Sequence, residues 1–337
     1  MDELVLSLLD NYDLQIRKSG RCRGAVLVHC EEGIYTVREY MGSERHLEFE
    51  ELLLNRLAEH RNDIFVDKIF RNREGELLTE DVYGKKYIVR AFYPARDFDT
   101  KNHTDIIAGV RLIARLHKRF HETEIEHEVL EKYFFKNHIA DTLVREFQKR
   151  NQELKRIRNY IRDKNNKNEF EYLVMKSFDE FYEDALRAES MMTSGMKQYI
   201  ADTLSEYDLI HGNYNYHNIL FLGDGGKSFV TNFEKAKIGI QMKDMYDYFR
   251  KIMEKYKWDE KLGHTMIQEY HHIRKLSDED ICYLKMKLIY PEKYWKILNH
   301  YNNSNKYWLP DKDVQKLKKT IADRNKRISF INHINRF

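Results

Sequence analysis

The sequence predicts an α+β protein, with a small antiparallel sheet plus one helix in residues 1–93 and a larger, mainly helical portion in 94–337. Three observations carry this. Apolar, β-branched runs broken by turn signals occupy 20–40 and 64–92, the pattern of hairpin strands. From residue 104 onward apolar residues recur at helical spacing. Only three prolines occur among 337 residues, so long helices are permitted.

Composition narrows the class of function. The chain carries 58 basic and 55 acidic residues, a formal charge of +3, which gives no pull toward nucleic acid or a membrane surface. Cys22, Cys30 and Cys282 make neither a metal-type pair nor an even disulfide framework, as expected of a chain made in a reducing cytoplasm. The first ten residues lack the basic start of a signal peptide. No apolar run approaches the ~18 residues that span a bilayer. The expectation is a soluble protein long enough to bury a substantial core.

The elements follow in order. Residues 1–10 read as a short helix or strand. Ala25-Val26-Leu27-Val28 and residues 34–40, joined at Glu32-Gly33, read as a hairpin. The preceding 19–24 is a basic turn with two glycines. Leu47, Leu52-Leu53-Leu54 and Leu57 predict a helix over 43–60. Residues 64–92 alternate again until Tyr93-Pro94-Ala95 break the pattern, hence the boundary after 93. Ile106-Ile107, Val110, Ile113, Leu116 and Phe120 predict a helix over 104–121, in which His117 is structural. Residues 128–200 read as an inserted helical hairpin turning at 164–168. Its cluster Lys149, Arg150, Lys155, Arg156, Arg158 and Arg162 would suit an acidic partner, although a solvated helix face is the commoner explanation. Further on, Asp244 is the expected N-cap of a helix carrying Met245, Phe249 and Ile252-Met253. Ser277 and Asp280 have capping-box spacing. Residues from Asp311 read as a basic helix with Val314, Leu317 and Ile321 inward.

The chemistry concentrates in His211-Gly212-Asn213-Tyr214-Asn215-Tyr216-His217-Asn218-Ile219-Leu220-Phe221. A Gly223-Asp224-Gly225-Gly226 turn and Ser228-Phe229-Val230-Thr231-Asn232-Phe233-Glu234 follow. Histidine, a polar residue two places on, an asparagine five places after that, a turn and an amide-Phe-Glu about fourteen residues further resemble the catalytic loop and metal-binding strand of the kinase fold. The ordinary alternative for such a stretch is a β-hairpin behind an Asn-rich loop. The resemblance is to the branch of small-molecule kinases that includes aminoglycoside and choline phosphotransferases. It implies a bilobal fold: a small antiparallel-sheet N-lobe, a hinge near 93–95 and a helical C-lobe. Both expected aspartates are amides here. Asn213 stands where a carboxylate would orient and deprotonate the attacking hydroxyl, help worth roughly 10²–10⁴-fold. A carboxamide cannot take that proton. Asn232 stands where a carboxylate would bind magnesium, a hard cation that prefers charged oxygens. Asn218 matches the loop asparagine that helps hold metal, so Asn218, Asn232 and Glu234 form at best a weak metal set. In the sheet, Arg38 occupies the position of the phosphate-pairing lysine, or is simply an exposed strand arginine. Glu50 and Glu51 are the candidates for the helix glutamate that would pair with it; either alone also reads as part of a solvated helix face. ATP with Mg2+ is expected to bind weakly or not at all.

A closer resemblance, over essentially the whole chain, is to the CotS-type spore coat protein family of that superfamily. It is carried by 211–220, 231–234, Met242-Lys243-Asp244-Met245-Tyr246, 249–255, 21–25, Glu39-Tyr40 and above all residues 290–306. It implies a kinase-shaped protein made in the mother-cell cytoplasm and deposited in the spore coat. There it would work as a structural or assembly component with other spore coat proteins, without nucleic acid or membrane as partners. The competing reading is an active ATP-dependent phosphotransferase on a small hydroxyl or amine substrate or on a coat protein. A third, nucleic-acid binding through the basic hairpin, has little support from the charge balance.

Overall fold

A computed structural model describes residues 2–59, 64–134, 139–223, 226–304 and 311–334. Asp224 and Gly225 of the expected turn, and Asn305 and Lys306 of the C-terminal block, lie outside the described residues. The protein is α+β and forms two compact units, Met1–Phe135 with Asp208–Gly239, and Lys136–Tyr207 with Ile240–Phe337.

The first unit opens with helix α1 (Asp2–Ser7) and a single 3-10 turn. Strands β1 (Ile16–Cys22), β2 (Ala25–Cys30) and β3 (Ile34–Glu39) follow as an antiparallel meander. The expected β2–β3 hairpin is present, and a third strand precedes it. That strand is almost wholly exposed, so it lacks the apolar alternation that marks a half-buried strand. The turn into β2 is Arg23-Gly24, both at positive φ (52° and 80°), as a two-residue hairpin turn requires. Helix α2 (Glu44–Glu59) comes next, its buried face formed by Leu47, Phe49, Glu50, Leu53, Leu54 and Leu57. After β4 (Ile64–Val66), β5 (Ile69–Phe70) and β6 (Thr79–Glu80), strand β7 (Lys86–Phe92) inserts beside β3, giving the sheet order β1-β2-β3-β7-β5.

Register decides which side chains the sheet offers to each face. Thr36 lies opposite Arg90, Arg38 opposite Ile88, and Val37 opposite Val89. Because side chains alternate along a strand, Thr36, Arg38, Ile88 and Arg90 share one face, and Tyr35, Val37, Val89 and Tyr87 the other. The second face is covered by Val5, Leu8, Leu9 and Tyr12 from the N-terminal segment. Strand β8 (Arg96–Asp97), helix α3 (His103–Glu122, capped by the Asn102 side chain on the Thr104 N–H) and helix α4 (His127–Tyr133) complete this stretch. Strands β9 (Leu209–Ile210), β10 (Ile219–Leu222), β11 (Lys227–Val230) and β12 (Lys237–Ile238) form two small sheets, β4-β11-β10-β8 and β12-β9.

The second unit contains only helices: α5 (Ile139–Arg162), α6 (Glu169–Ser190), α7 (Ser194–Ser205), α8 (Gln241–Met253), α9 (Glu260–Ile273), α10 (Asp278–Ile289), α11 (Glu292–Asn303) and α12 (Asp311–His333). The expected stripe of α5 is buried, and α6 begins in a capping box between Asn168 and Glu171. Ser277 and Asp280 form theirs as expected. Asp244 does not cap α8. The helix starts three residues earlier, behind Ile240, and Asp244 is buried within its first turn. The C-terminal block is packing. The Tyr294 ring stacks on Phe181 at 4.1 Å and 2°, Tyr301 on Phe170 at 4.9 Å, and the Trp295 indole donates to Glu153 at 2.8 Å. No helix among the described residues is long and apolar enough to cross a membrane.

Tyr294 gives a direct test of this packing. Tyr294→Ala removes a fully buried ring and should cost about 3–5 kcal/mol in urea unfolding. Tyr294→Phe loses only the bond between its hydroxyl and Ser177 (3.2 Å) and should cost about 1 kcal/mol. Equal costs would refute the stacking as the source.

Candidate active site

The loop between β9 and β10 is built by its amides and one histidine. The Asn213 N–H donates to Nδ1 of buried His211 at 3.2 Å, so Nε2 carries the ring proton and donates to the Thr231 carbonyl at 3.0 Å. The Asn213 carbonyl accepts the side-chain amides of Asn215 (2.8 Å) and Asn218 (2.9 Å). Thr231 N–H donates to the Asn218 carbonyl at 3.0 Å. Thr231 therefore bonds both ends of the loop and precedes Asn232, which brings Asn213, Asn218 and Asn232 onto neighbouring backbone. Gly212 is required for this crossing: at φ +74° a Cβ there would lie 2.0 Å from the Lys235 carbonyl oxygen. Asn232 itself has φ 69°, a conformation that asparagine tolerates better than most residues. Tyr214 is buried and anchors the loop by donating to the Gly109 carbonyl of α3 at 2.7 Å.

The charged residues pair differently from the sequence expectation. Glu50 does not meet Arg38. It takes Arg90, in a bidentate pair with both N···O distances 2.9 Å, 1% and 0% exposed. Glu51 pairs with Arg71 at 2.7 Å. Arg38 pairs with Glu234, so that carboxylate faces a guanidinium. The reason is register: Arg90 shares the α2-facing side of the sheet with Arg38, and Glu50 can reach only one of them.

Asp67 and Arg90 were not singled out by sequence reasoning. Asp67, just after β4, lies 3.6 Å from Arg90 and accepts the Asn232 N–H at 3.0 Å, while its Oδ1 is buried without a hydrogen-bond partner. Burial pushes its carboxyl up to about 6, with Glu50 adding to the push and Arg90 opposing it. Arg90 is held strongly protonated: burial disfavours its charge, but Glu50 and Asp67 outweigh that. An arginine inside the apolar run 87–92 was a readable signal, since a buried charge demands a partner. A lone acid between two short strands was not.

These residues line a cavity of about 80 Å³ with Cys22, Ala25, Phe92 and Phe229 on its apolar side. That is far below the roughly 300–1,000 Å³ of sites that enclose small ligands. Above it the β1–β2 turn is tied down: Arg23 pairs with Asp97 and donates to the His217 carbonyl at 2.6 Å. Arg23, Arg38 and Arg90 each have an acidic partner, an arrangement that the phosphate-pairing cation of active kinases also has. Asn232 offers a metal only a neutral oxygen, so magnesium would find a poorer ligand set here than beside a carboxylate. Among the described residues no group of three or more His, Cys, Asp or Glu is placed to hold a metal ion.

No protein-family model and no curated protein matches the chain significantly. Solved structures do. An aminoglycoside phosphotransferase from Alicyclobacillus acidocaldarius matches with a TM-score of 0.83 at 15% identity, covering 97% of this chain and 94% of that one. An AMP-bound spectinomycin phosphotransferase matches at 0.65 and 14% identity, covering 99% of both chains. A microcompartment-associated aminopropanol kinase matches at 0.59 and 15%, covering 98% of this chain and 97% of that one. The fold is that of aminoglycoside phosphotransferases and their kinase-like relatives.

The position of Asp67 predicts a pH dependence. Its carboxyl titrates higher in the fold than in the unfolded chain, so its contribution to stability is full below about pH 4 and is lost as pH rises through about 6. The loss amounts to about 3 kcal/mol. Denaturant unfolding at about pH 4 and about pH 7.5 should show wild type losing that much relative to Asp67→Asn. Parallel pH profiles would refute the assignment.

Proposed function

We propose that this chain is a pseudokinase: a protein with the small-molecule-kinase fold that works as a structural or assembly component of the spore coat, among other coat proteins, and does not transfer phosphate. The observation that carries the loss of transfer is the pair of amides, Asn213 and Asn232, set on neighbouring backbone beside a cavity of about 80 Å³. Asn213 cannot act as a base, and Asn232 cannot supply a charged metal ligand. On this reading ATP with Mg2+ binds weakly or not at all. The coat role is supported by the resemblance of the loop, the Asn-Phe-Glu strand end and the C-terminal block to CotS-type proteins.

The second reading is an ATP-dependent phosphotransferase acting on a small hydroxyl or amine compound or on a coat protein. It is favoured by the phosphotransferase and kinase activities of the structural neighbours, and by Asn218, whose Oδ1 the loop's own hydrogen bonds do not use.

Thermal unfolding with and without ATP and divalent metal separates the two. A ligand at ~100 times its dissociation constant adds about 2.7 kcal/mol of stability. The expected result is no shift, and no ATP turnover above background. Turnover in wild type that disappears in Asn218→Ala would overturn the pseudokinase assignment. Recovery of the protein only from vegetative cytoplasm, and never from purified coats, would overturn the coat role.

A further inference from the structure

We propose that the chain associates head to tail, an acidic groove on the first unit receiving the basic stripe of helix α5 from a second copy. The groove, about 840 Å³, is lined by α2, the β5–β6 segment and α4. It is ten times the volume of the cavity at the candidate active site and shares no lining residue with it.

Its floor is apolar, from Leu47, Leu52, Leu77 and Leu78, and its walls are glutamates. Six of them line it, against two cations. Those cations are already used: Arg71 pairs with Glu51, and Lys86 with Glu44 and Glu80. Glu48, Glu74 and Glu76 remain, exposed and without an ion pair among the described residues. Three carboxylates without an ion pair of their own, two of them sharing the field of Arg71, stand over a leucine floor and suit an occupant with long cationic side chains, whose stems cover the apolar floor while the heads reach the walls.

The chain carries such an occupant. Of the basic residues clustered in α5, several are satisfied locally. Arg150 pairs with Glu146 and lies over Trp295, Arg158 reaches Asp179 at 3.8 Å, Arg162 pairs with Asp163, and Lys155 lies over Tyr182. Arg145, Lys149 and Arg156 are exposed and make no ion pair among the described residues. Their spacing of four and seven places puts them on one helix face. That stripe is about 16 Å long at 1.5 Å per residue. Three unmatched cations thus have the count and sign that three unmatched carboxylates call for, on a chain whose formal charge is only +3. The contact joins different surfaces of the two copies, so it propagates into rings or filaments instead of closing as a symmetric dimer. A contact of this size, built on exposed charges, is weak and falls with salt.

Sedimentation velocity on the full chain over a concentration series tests this at about 0.02 M and about 0.5 M salt. Wild type should grow in mass with concentration at low salt and return to monomer at high salt. Two charge reversals, Glu74→Lys with Glu76→Lys in the groove, or Lys149→Glu with Arg156→Glu on the stripe, should each weaken association about a hundredfold or more. An equimolar mixture of the two reversed proteins should associate again, because reversed groove then meets reversed stripe, a recovery that misfolding cannot produce. Wild type that stays monomeric at low salt overturns the proposal, even if the groove captures an unrelated basic peptide. So does a mixture that stays monomeric, or reversed proteins that associate like wild type. None of these residues lines the candidate active site, so the inference stands or falls separately from the pseudokinase assignment.

Discussion

The buried pairing of Arg90 with Glu50 is the constraint on which the first unit depends. Both groups are withdrawn from water, and a buried charge is tolerated only when a partner meets it with good geometry. The bidentate pair therefore fixes the position of α2 along β7. It also commits the one carboxylate that α2 buries among the described residues. Arg38, one strand away on the same face, must find its counter-charge elsewhere, and Glu234 supplies it. Asp67 joins Arg90 from β4 and holds the backbone of Asn232. One ion pair thus sets the charge state of the sheet's inner face and the conformation of the Asn-Phe-Glu segment.

This explains how far the sequence could be read. Elements with strong periodicity were legible: α2, α3, the stripe of α5, and strands β2, β3 and β7. Strand β1 was not, because an edge strand with six exposed residues has no buried face to leave a pattern. Asp244 was misplaced as a cap because helix start signals are local, whereas α8 is extended upstream by the burial of Gln241 and Met242. The pairing of the charged residues was not legible. Which glutamate meets which arginine depends on the register of β3 against β7, and a sequence does not state register. The tyrosines of 290–301, conspicuous but without a chemical role, are accounted for by ring packing between helices of the second unit, Tyr294 and Tyr301 stacked and Tyr290 tilted on Phe147.

The catalytic-type loop keeps its shape through bonds that involve no carboxylate. Its geometry rests on the His211 ring, on backbone groups and on two donating amides, Asn215 and Asn218, that converge on one carbonyl. None of these bonds needs a carboxylate at position 213. Besides its backbone N–H and carbonyl, that residue contributes one long bond, its Oδ1 accepting from the Asn215 amide at 3.3 Å, which a carboxylate oxygen could accept equally well.

Charge accounting extends the same argument to Asn232. Arg38 and Arg90 face Glu50, Glu234 and Asp67, while Arg23 and Asp97 cancel each other. With Asp67 protonated the cluster is balanced, two against two. With it ionised, a single negative charge remains, on a carboxylate held by the Asn232 N–H. An aspartate at 232 would add another negative charge beside that one, with no guanidinium left to offset it. Only a bound cation could do so. An amide at this position removes the requirement, and the cluster is then satisfied by the chain's own residues. The two arginine pairs and the amide at 232 therefore leave the cluster close to charge balance within the chain's own residues.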